Sequence, residues 1–410
     1  MRVLVVSQYF FPEVFRINDL VRSLVEKGID VDVLTAKPNY PEGTCFYGYQ
    51  AWGLKTEQLL GATVYRLPIV ARGNRSTLLL GLNYLSFMLS GLFFGPWIVR
   101  GRSYDVVFVY GVSPILQAIP ALFLGWLKSS SVIVWVQDLW PESLKATGYV
   151  LNRHVLWCVE QLVSYIYRHT NLLLVQSKGF MEPVRALASG AKVTYFPNSV
   201  EPIFCDRSEV PLPEIPALDK GFSVLFAGNV GVGQAVEVIV EAAILLKEYS
   251  DIHFVVLGYG SRWDWMSEQV KAQELINLHL LGRYPLETMP GLMQKASALL
   301  VSLSKQPIFS ATVPNKVQAY MASGRPILAC LNGEGARLVV EAGAGIAVPA
   351  EDASSLAAAI LRLYQMPLEE RATMGANGRR YFKENFDHDR LVEELMTHFR
   401  INSKVQKGKE

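Results

Sequence analysis

The sequence predicts an α/β protein made of two Rossmann-like, doubly wound domains that face each other across a cleft. The first observation is the length of 410 residues, which exceeds what one hydrophobic core usually holds. The second is the opening RVLVVSQYF, a continuous apolar strand followed by a helix from about Ile17 to Lys27 and by the strand DVDVLTA. This βαβ order is typical of a parallel sheet that is covered on both faces. The third is a similar series that begins at FSVLFAG, after the proline-rich segment EVPLPEIPALDKG.

These patterns place the first domain at residues 1–198 and the second at residues 199–388. Residues 389–410 are expected to complete a last helix and end in a polar tail. Residues 1–198 carry 18 Lys/Arg against 12 Asp/Glu, a net charge of +6, whereas the remainder carries 21 against 25, a net charge of −4. A basic first domain can face anionic lipid headgroups or a lipid diphosphate, although ordinary variation of the surface gives the same asymmetry.

The cysteines give little sign of a metal or disulfide framework. Cys45, Cys158, Cys205 and Cys330 are widely spaced and form no Cys-x-x-Cys or Cys/His pattern. Their spacing indicates a reduced, cytoplasmic compartment and no zinc site.

A charge-free stretch of 24 residues runs from Ser76 to Val99 and is flanked by arginines on both sides. It is long enough to cross a membrane, but a crossing would place parts of one Rossmann-like domain on opposite sides. We therefore expect a helix that is partly buried in the first domain and partly inserted in the membrane interface. A helix buried entirely in the core is the alternative.

Polar residues follow several predicted strands of the first domain, where parallel sheets bind their ligands. They occur after the first strand, in a long aromatic loop after the second, and after SVIVWVQD. In the alternative interpretation, Asp138 and Ser143 only cap a helix. The residues concerned are Pro12, Glu13, Asn39, Tyr40, Asp138, Trp140 and Glu142.

The most informative segment of the second domain is 304–341. A strand ALLVSLS is expected to end at Lys305, and Asn315 is a candidate N-cap for a helix that Gly324 stops. After the strand PILAC, the turn 332–336 opens another helix. Helix N-termini, bare amides and nearby lysines together suit a diphosphate, although any βαβ repeat has capped helices of this kind.

The segment PNKxxxYMASGRPI resembles the donor-site signature of family 4 of the retaining nucleotide-sugar glycosyltransferases, which have the GT-B fold. In that family a helix start of the Pro-Ser-Lys type precedes a Glu that binds the ribose hydroxyls. Here Asn315 stands in place of the Ser, and Ala319 and Ala311 stand where the family has its pair of Glu residues. Gln318 or backbone groups are therefore expected to hold the ribose. The resemblance also implies that the last helix crosses back to the first domain.

The segments YFFPEVFRINDLV, LTAKPNYPEG and VQDLWPESLKATG resemble a narrower branch, the O-antigen and capsule transferases of the WbuB type. This resemblance implies transfer of a sugar such as N-acetyl-L-fucosamine from a UDP-sugar to an undecaprenyl-diphosphate-linked saccharide. The enzyme would lie peripherally on the inner face of the cytoplasmic membrane. No metal, other cofactor or nucleic acid is expected to take part.

The resemblance and the residue patterns together assign the following roles. Lys305 and Lys316 stabilise the leaving diphosphate, and Asp138 orients the acceptor hydroxyl, with Glu13 as the second candidate. The acceptor is expected to contact Pro12, Glu13, Arg16, Asn39, Tyr40, Trp140 and Glu142. The donor is expected to contact Gly228, Asn229, Gly231, Arg283, Pro314, Asn315, Gln318, Gly333, Glu334, Gly335 and Ala336.

Two other functions remain open from the sequence. A nucleotide-sugar 2-epimerase has a similar two-domain fold, but it has no need of a lipid-facing surface such as 76–99. An inactive, nucleotide-binding subunit of a membrane assembly is favoured by Ala311 and Ala319.

Overall fold

The computed structural model describes residues 1–73, 77–147, 152–200, 202–204 and 210–407. The chain forms two compact units, one of residues 1–196 with 389–410 and one of residues 197–388. Each unit is an α/β structure around a largely parallel sheet, as the sequence predicts. Arg75, Ser76 and Cys205, which the sequence analysis considers, lie outside the described residues.

The first unit is built on an eight-stranded sheet. Its strands are β1 Arg2–Val6, β2 Asp30–Ala36, β3 Lys55–Leu59, β4 Ala62–Leu67, β5 Val106–Gly111, β6 Ser131–Val136, β7 Leu172–Val175 and β8 Lys192–Tyr195. They lie in the order β3-β4-β2-β1-β5-β6-β7-β8, and every pair is parallel except β3 with β4. The direction of winding reverses between β1 and β5, and ligands of such sheets bind at the carboxyl ends of the strands beside this reversal.

Within the described part of residues 1–196, six α-helices accompany this sheet. They are α1 Arg16–Glu26, α2 Thr77–Ile98, α3 Ala118–Leu127, α4 Glu142–Thr147, α5 Arg153–Arg168 and α6 Met181–Ala188. Gly28 follows the end of the first helix, and its φ of 81° is a conformation that glycine adopts without strain. The fifth begins where the Asn152 side chain accepts a hydrogen bond from the His154 amide at 2.9 Å.

Helix α2, which corresponds to the charge-free stretch, is long and apolar enough to cross a membrane by length and composition. One strip of it is nevertheless buried, formed by Asn83, Phe87, Gly91 and Gly95 at a spacing of four residues. A Cβ atom at Gly91 would lie 2.7 Å from Cβ of Pro120 in α3. The glycines therefore let α2 pack closely against α3 within the first unit.

The one polar side chain of this strip fixes α2 to the carboxyl edge of the sheet. Asn83 Oδ1 accepts a hydrogen bond from Gln8 Nε2 at 2.7 Å, and its Nδ2 donates to the carbonyl of Val70 at 2.7 Å and to Asn39 Oδ1 at 3.3 Å. The side chains of Gln8, Asn39 and Asn83 are fully buried, so that breaking this network would leave buried polar atoms unpaired.

The second unit is built on a six-stranded, fully parallel sheet. Its strands are β9 Phe222–Ala227, β10 Ile252–Leu257, β11 Leu278–Gly282, β12 Ala298–Ser302, β13 Ile327–Cys330 and β14 Gly345–Val348. They lie in the order β11-β10-β9-β12-β13-β14, so the winding reverses between β9 and β12. The carboxyl ends of these two strands carry the glycine turn at 228–233 and the segment that begins at Ser304.

Nine helices accompany the second sheet within the described residues. They are α7 Pro216–Asp219, α8 Glu237–Leu245, α9 Trp263–Ala272, α10 Met289–Lys295, α11 Pro307–Ala311, α12 Asn315–Ser323, α13 Glu334–Glu341, α14 Ala353–Gln365 and α15 Leu368–Asn385.

Two expected boundaries in this unit are wrong. The strand expected to reach Lys305 ends at Ser302, and the loop after it contains the short helix α11. Asn315 is the first residue of α12 and not its cap, because Pro314 takes the cap position in an extended conformation. The Asn315 side chain instead accepts a hydrogen bond from Asn198 at 3.3 Å.

The segment FKENFDHDRLVEELMTHF, which its sequence pattern favours as one helix, is instead divided between α15 and the last helix, α16 His388–Lys407. The break occurs at Phe386, whose side chain is buried in the core of the second unit. Leu391, Leu395 and Phe399 are buried in the core of the first unit. The Phe399 ring lies 5.4 Å from that of Phe108 in β5.

The packing of α2 can be tested by placing a leucine at two of its glycines. We expect Gly91→Leu to lower the free energy of unfolding by about 1–3 kcal/mol, because the new side chain overlaps Pro120. Gly81→Leu is the control, since a Cβ there meets nothing within 4 Å and leucine favours a helix by up to about 1 kcal/mol. Chemical denaturation measures both. Equal stability of the two variants would contradict the packing of α2 on α3.

Candidate active site

Three loops of the second unit come together at the carboxyl ends of β9, β12 and β13. The amide of Ser304 donates to the carbonyl of Gly233 at 3.1 Å, which joins the first two loops. Gly333 lies so close to α11 that a Cβ would be 2.0 Å from the carbonyl oxygen of Ser310. A Cβ at Gly335 would lie 3.0 Å from Cδ of Pro314, so the third loop also packs on the start of α12. The structure therefore brings together most of the glycines expected to contact the donor.

Lys316 is the cation at the centre of this region. Its Nζ donates to Gln234 Oε1 at 2.7 Å and lies 3.7 Å from the centroid of the Phe226 ring. Burial lowers the pKa of Lys316 to about 7. Gly228 leaves the space for this side chain, because a Cβ there would lie 2.6 Å from Lys316 Cε, and its φ of 137° also favours glycine. Lys316 is half-buried, and an ammonium group held in this way is suited to an anionic ligand.

The glycine turn after β9 offers fewer free amides than the sequence suggests. The amide of Gly228 donates to the carbonyl of Leu257 at 2.8 Å, and that of Val230 donates to the carbonyl of Tyr259 at 3.2 Å. Asn229 is exposed, and its side chain covers Gly231, where a Cβ would be 2.6 Å from Nδ2. The amides at 228 and 230 are therefore already used within the unit.

Helix α13 supplies further hydrogen-bond donors. It begins after Gly333 with no side-chain cap, so the first amides, which include those of Glu334, Gly335 and Ala336, lack helical partners. The Glu334 carboxylate is bound by Arg337 at 2.6 Å on the same helix.

Arg283 lies at the margin of this region. Its side chain is exposed, and its guanidinium carbon lies 5.6 Å from the centroid of the Tyr259 ring. Because the carbonyl of Tyr259 accepts from the amide of Val230, Arg283 is connected to the glycine turn through one residue.

Lys305 does not share the contacts of Lys316. Its side chain is exposed, and its amide donates to Glu351 Oε1 at 3.0 Å. The pKa of Asp352 is lowered mainly by hydrogen bonds from Ser355 and also by the charge of Lys305. Lys305 thus lies beside two carboxylates near the end of β14, where its charge is partly compensated.

Gln318 is not placed to replace the missing ribose carboxylate. Two residues along α12 correspond to a rotation of about 200°, so Gln318 lies on the side of the helix opposite Lys316. It is buried, and neither of its amide atoms has a hydrogen-bond partner among the described residues. Ala319 is only about 60° from Lys316 around the helix and shares the face of Asn315.

In the first unit, Asp138 lies just after the end of β6, and Ser113, which lies just after the end of β5, holds its side chain. Its Oδ2 accepts from the amide of Ser113 at 3.0 Å and from its hydroxyl at 2.9 Å, and Trp140 Nε1 donates to the same hydroxyl at 3.0 Å. Burial raises the pKa of Asp138, and the bonds from Ser113 oppose that rise. Asp138 is thus fixed at the carboxyl edge of the sheet.

Glu13 is a positioning residue and is not free to contact an acceptor. Its carboxylate accepts from the amides of Asn39 at 2.8 Å, Tyr40 at 2.7 Å and Phe10 at 3.3 Å. Its side chain is buried, and burial raises its pKa to about 7 despite these bonds. Glu13 therefore joins the loops that follow β1 and β2, and its expected role as second candidate for orienting the acceptor is not supported.

The other expected acceptor residues lie at this same edge. The Tyr40 ring packs 5.4 Å from Phe15 and lies 4.9 Å from the Arg72 guanidinium carbon. Trp140 and Glu142 line a cavity of about 360 Å³ between α4, α5 and α6. Pro12 is half-buried in the turn before α1, and Arg16, also half-buried, is the first residue of that helix.

Sequence reasoning missed three residues that shape these sites. Gln234 and Phe226 contact Lys316, and Ser113 contacts Asp138. Ser113 follows the strand YDVVFVYG, so its place after a strand was a usable signal. Nothing in the sequence pairs Gln234 with a lysine that lies 82 residues later.

Comparison with known families identifies the class of protein. Residues 14–199 match the family described as glycosyl transferase 4-like domain, and residues 221–366 match the family described as glycosyl transferases group 1. The chain is therefore a glycosyltransferase, and its two parallel-sheet units have the GT-B fold. The resemblance to family 4 is supported at this level, but the narrower WbuB-type branch is not.

Individual relatives agree with this class. The putative colanic acid biosynthesis glycosyl transferase WcaI of Escherichia coli (strain K12) is 25% identical over 344 residues, which cover 79% of this chain and 82% of that protein. Sucrose-phosphate synthase from Thermosynechococcus elongatus has a TM-score of 0.73 at 17% identity, over 97% of this chain and 98% of that one. Anabaena HepE in complex with UDP has a TM-score of 0.68 at 11% identity, over 98% and 100%. The likeness to these two structures shows the fold alone.

The pKa of Lys316 leads to a prediction for nucleotide binding. We expect UDP to bind more weakly as the pH rises from about 7 to about 9, a range in which its phosphates are already ionised. The free protein loses the Lys316 charge above about pH 7, whereas a bound diphosphate stabilises that charge and raises the pKa. The affinity then falls by up to about tenfold per pH unit until the pKa of the complex is reached. Calorimetry measures this slope.

Two variants test whether Lys316 causes this pH dependence of UDP binding. Lys316→Met is expected to bind UDP weakly with little dependence on pH, and Lys305→Met is expected to keep the wild-type slope. An unchanged slope in Lys316→Met would assign the proton to another group.

Proposed function

We propose that this enzyme transfers a sugar, with retention of configuration, from a UDP-sugar to an undecaprenyl-diphosphate-linked saccharide in the synthesis of a surface polysaccharide. The observation that carries the proposal is the half-buried Lys316 ammonium group, which lies at the start of α12 and contacts the glycine turn after β9. A site of that charge and shape fits the diphosphate of a nucleotide sugar. The structure described as Anabaena HepE in complex with UDP is a GT-B protein that binds such a nucleotide.

In this proposal the donor is activated by stabilising its leaving group. Negative charge grows on the diphosphate as the glycosidic bond breaks, and Lys316 together with the first amides of α13 stabilises that charge. Because Lys316 is already buried against Phe226, little reorganisation is needed when the charge develops. The leaving phosphate itself accepts the proton of the acceptor hydroxyl, and no metal is required.

Asp138 is proposed to orient the acceptor hydroxyl. Its Oδ2 is engaged by Ser113, which fixes the direction of the carboxylate at the carboxyl edge of the first sheet. The hydrogen bonds of Glu13 hold the loops after β1 and β2, which form another part of the proposed acceptor site, in place.

A lipid-linked acceptor is supported by the exposed side of α2. Leu78, Leu89, Phe93 and Trp97 are 73%, 58%, 77% and 73% exposed. Large apolar side chains in such a row are typical of a surface that contacts a membrane. We propose that the enzyme lies peripherally on the cytoplasmic face of the membrane, where α2 enters the interface while its other side stays packed on α3.

The identity of the sugar is the most specific part of the proposal. An N-acetylated amino or deoxyamino hexose such as N-acetyl-L-fucosamine follows from the WbuB-type resemblance of the loops after β1, β2 and β6. The name of the relative WcaI, a putative colanic acid biosynthesis transferase, supports an exported polysaccharide as the product class.

Transfer can be measured with the purified protein, a panel of UDP-sugars and a polyprenyl-diphosphate-linked saccharide, with mass spectrometry of the lipid product. We expect Lys316→Met to lower kcat/KM by at least about tenfold, which corresponds to about 1.4 kcal/mol of lost transition-state stabilisation. Lys305→Met is the control, and because its charge is exposed we expect a change of less than about threefold. Nucleotide binding without any turnover of these donors would favour the inactive subunit.

Membrane attachment can be tested by flotation with vesicles that contain phosphatidylglycerol. We expect the double change Leu89→Gln and Phe93→Gln to lower vesicle binding by at least about tenfold, because each apolar side chain contributes about 1.5–3 kcal/mol when fully buried. The matched control is Leu286→Gln with Leu368→Gln, two exposed leucines of the second unit. Equal binding by both double variants would show that α2 does not provide the contact.

A further inference from the structure

A second cavity of the first unit lies away from the residues discussed above. It has a volume of about 700 Å³, within the usual range for a ligand pocket, and lies between α2, α3 and α5. Its wall is apolar and aromatic, formed by Leu92, Ile119, Leu122, Phe123 and Trp126. A cavity of this lining and size suits a flexible apolar ligand.

This cavity is at the edge of the sheet opposite the candidate acceptor residues. Its polar lining includes Ser130 and Asn171, which precede β6 and β7, and Val132 near the start of β6 adds an apolar side chain. Asp138 and Ser113 lie at the carboxyl ends of β6 and β5 instead. The cavity is therefore distinct from the site where the acceptor sugar is proposed to bind.

The cavity is continuous with the exposed apolar side of α2. Leu92, in its wall, lies between Gly91, which is buried on α3, and Phe93, which is 77% exposed. Trp126, also in the wall, is 76% exposed, and its ring stacks 6.0 Å from that of Phe123. A hydrocarbon chain at the membrane interface beside α2 would therefore lie next to the apolar wall of the cavity.

Three basic side chains stand at the ends of the helices that form the cavity. Arg100 follows α2, Lys128 follows α3, and Arg168 is the last residue of α5. None of them has an ion-pair partner among the residues that the structure describes, and His169, next to Arg168, lines the cavity. An anionic headgroup complements this charge.

We propose that this cavity holds one hydrocarbon chain of an anionic phospholipid of the membrane, with the headgroup phosphate near Arg100, Lys128 and Arg168. The proposal rests on the membrane attachment proposed above and adds a defined lipid site to it. Apolar walls of Ile119, Leu122 and Phe123 remove the chain from water, whereas the basic side chains select an anionic headgroup.

The chain site can be tested by photolabelling. The wild-type protein is bound to vesicles of phosphatidylcholine with a phosphatidylglycerol that carries a diazirine at the end of one acyl chain, and the labelled peptides are mapped. We expect labels on α3 and α5, and we expect Leu122→Trp to lower them at least about fivefold because the larger ring fills the cavity. The control Leu89→Trp makes the same exchange on the exposed side of α2 and is expected to leave them unchanged.

The outcomes separate the two proposals. A wild-type protein that does not bind the vesicles would overturn membrane attachment and the lipid site together. Binding with labels confined to the exposed side of α2, or labels on α3 that persist in both Leu122→Trp and Ile119→Trp, would overturn the lipid site alone. Thermal unfolding confirms that each variant is folded.

The headgroup part is tested with Arg100→Gln, Lys128→Gln and Arg168→Gln combined. We expect binding to vesicles that contain phosphatidylglycerol to fall by roughly a hundredfold, at about fivefold for each basic residue. The control combines Lys271→Gln, Arg362→Gln and Lys383→Gln, which removes the same charge from the second unit. A loss of equal size in both triple variants would contradict a specific headgroup site.

Discussion

The burial of one ammonium group determines much of the second unit's candidate site. Lys316 loses hydration beside Phe226, and Gln234, a neutral amide, is its hydrogen-bond partner. Neutral partners compensate a buried charge only in part, which is why its pKa is lowered to about 7. The glycine at 228 is a direct consequence, because any larger residue would meet the lysine side chain. The diphosphate of the proposed donor is an anion that would compensate this charge.

The fold was predictable because its strands are easily recognised in the sequence. Segments such as RVLVVSQYF and SVIVWVQD are apolar throughout, which is the pattern of strands buried on both faces. Glycines after helices, such as Gly28 and Gly324, marked the ends correctly, because both adopt positive φ. The boundaries that failed depend on tertiary contacts. Phe386 breaks the last helical region because its side chain is buried in the second unit, while the residues after it are buried in the first.

The site was predictable in its position and less so in its residues. The end of strand β6 indicated Asp138, since parallel sheets gather their loops at one edge, whereas Lys316 was indicated by its place at the start of a helix. Lys305 follows such a strand too, but the sequence does not show that Glu351 lies beside it. The sequence does not show the partners of Glu13 either, because the three amides that donate to its carboxylate come together only in the folded loops. Local sequence gives the place of a residue along the chain and does not give the partners that distant segments bring to it.

The residue at position 319 bears on the charge of Lys316, whose pKa is lowered by burial. The two residues are three apart on α12, and side chains at this spacing are neighbours on a helix surface. A Glu at that position would pair with Lys316 and raise its pKa, as opposite charges do when they are close. The small side chain of Ala319 leaves burial as the cause that lowers the pKa of Lys316. The departure from the family signature therefore does more than remove a ribose ligand. It also leaves Lys316 without a carboxylate three residues along its own helix, so that an anionic ligand bound there would have a larger part in stabilising its charge.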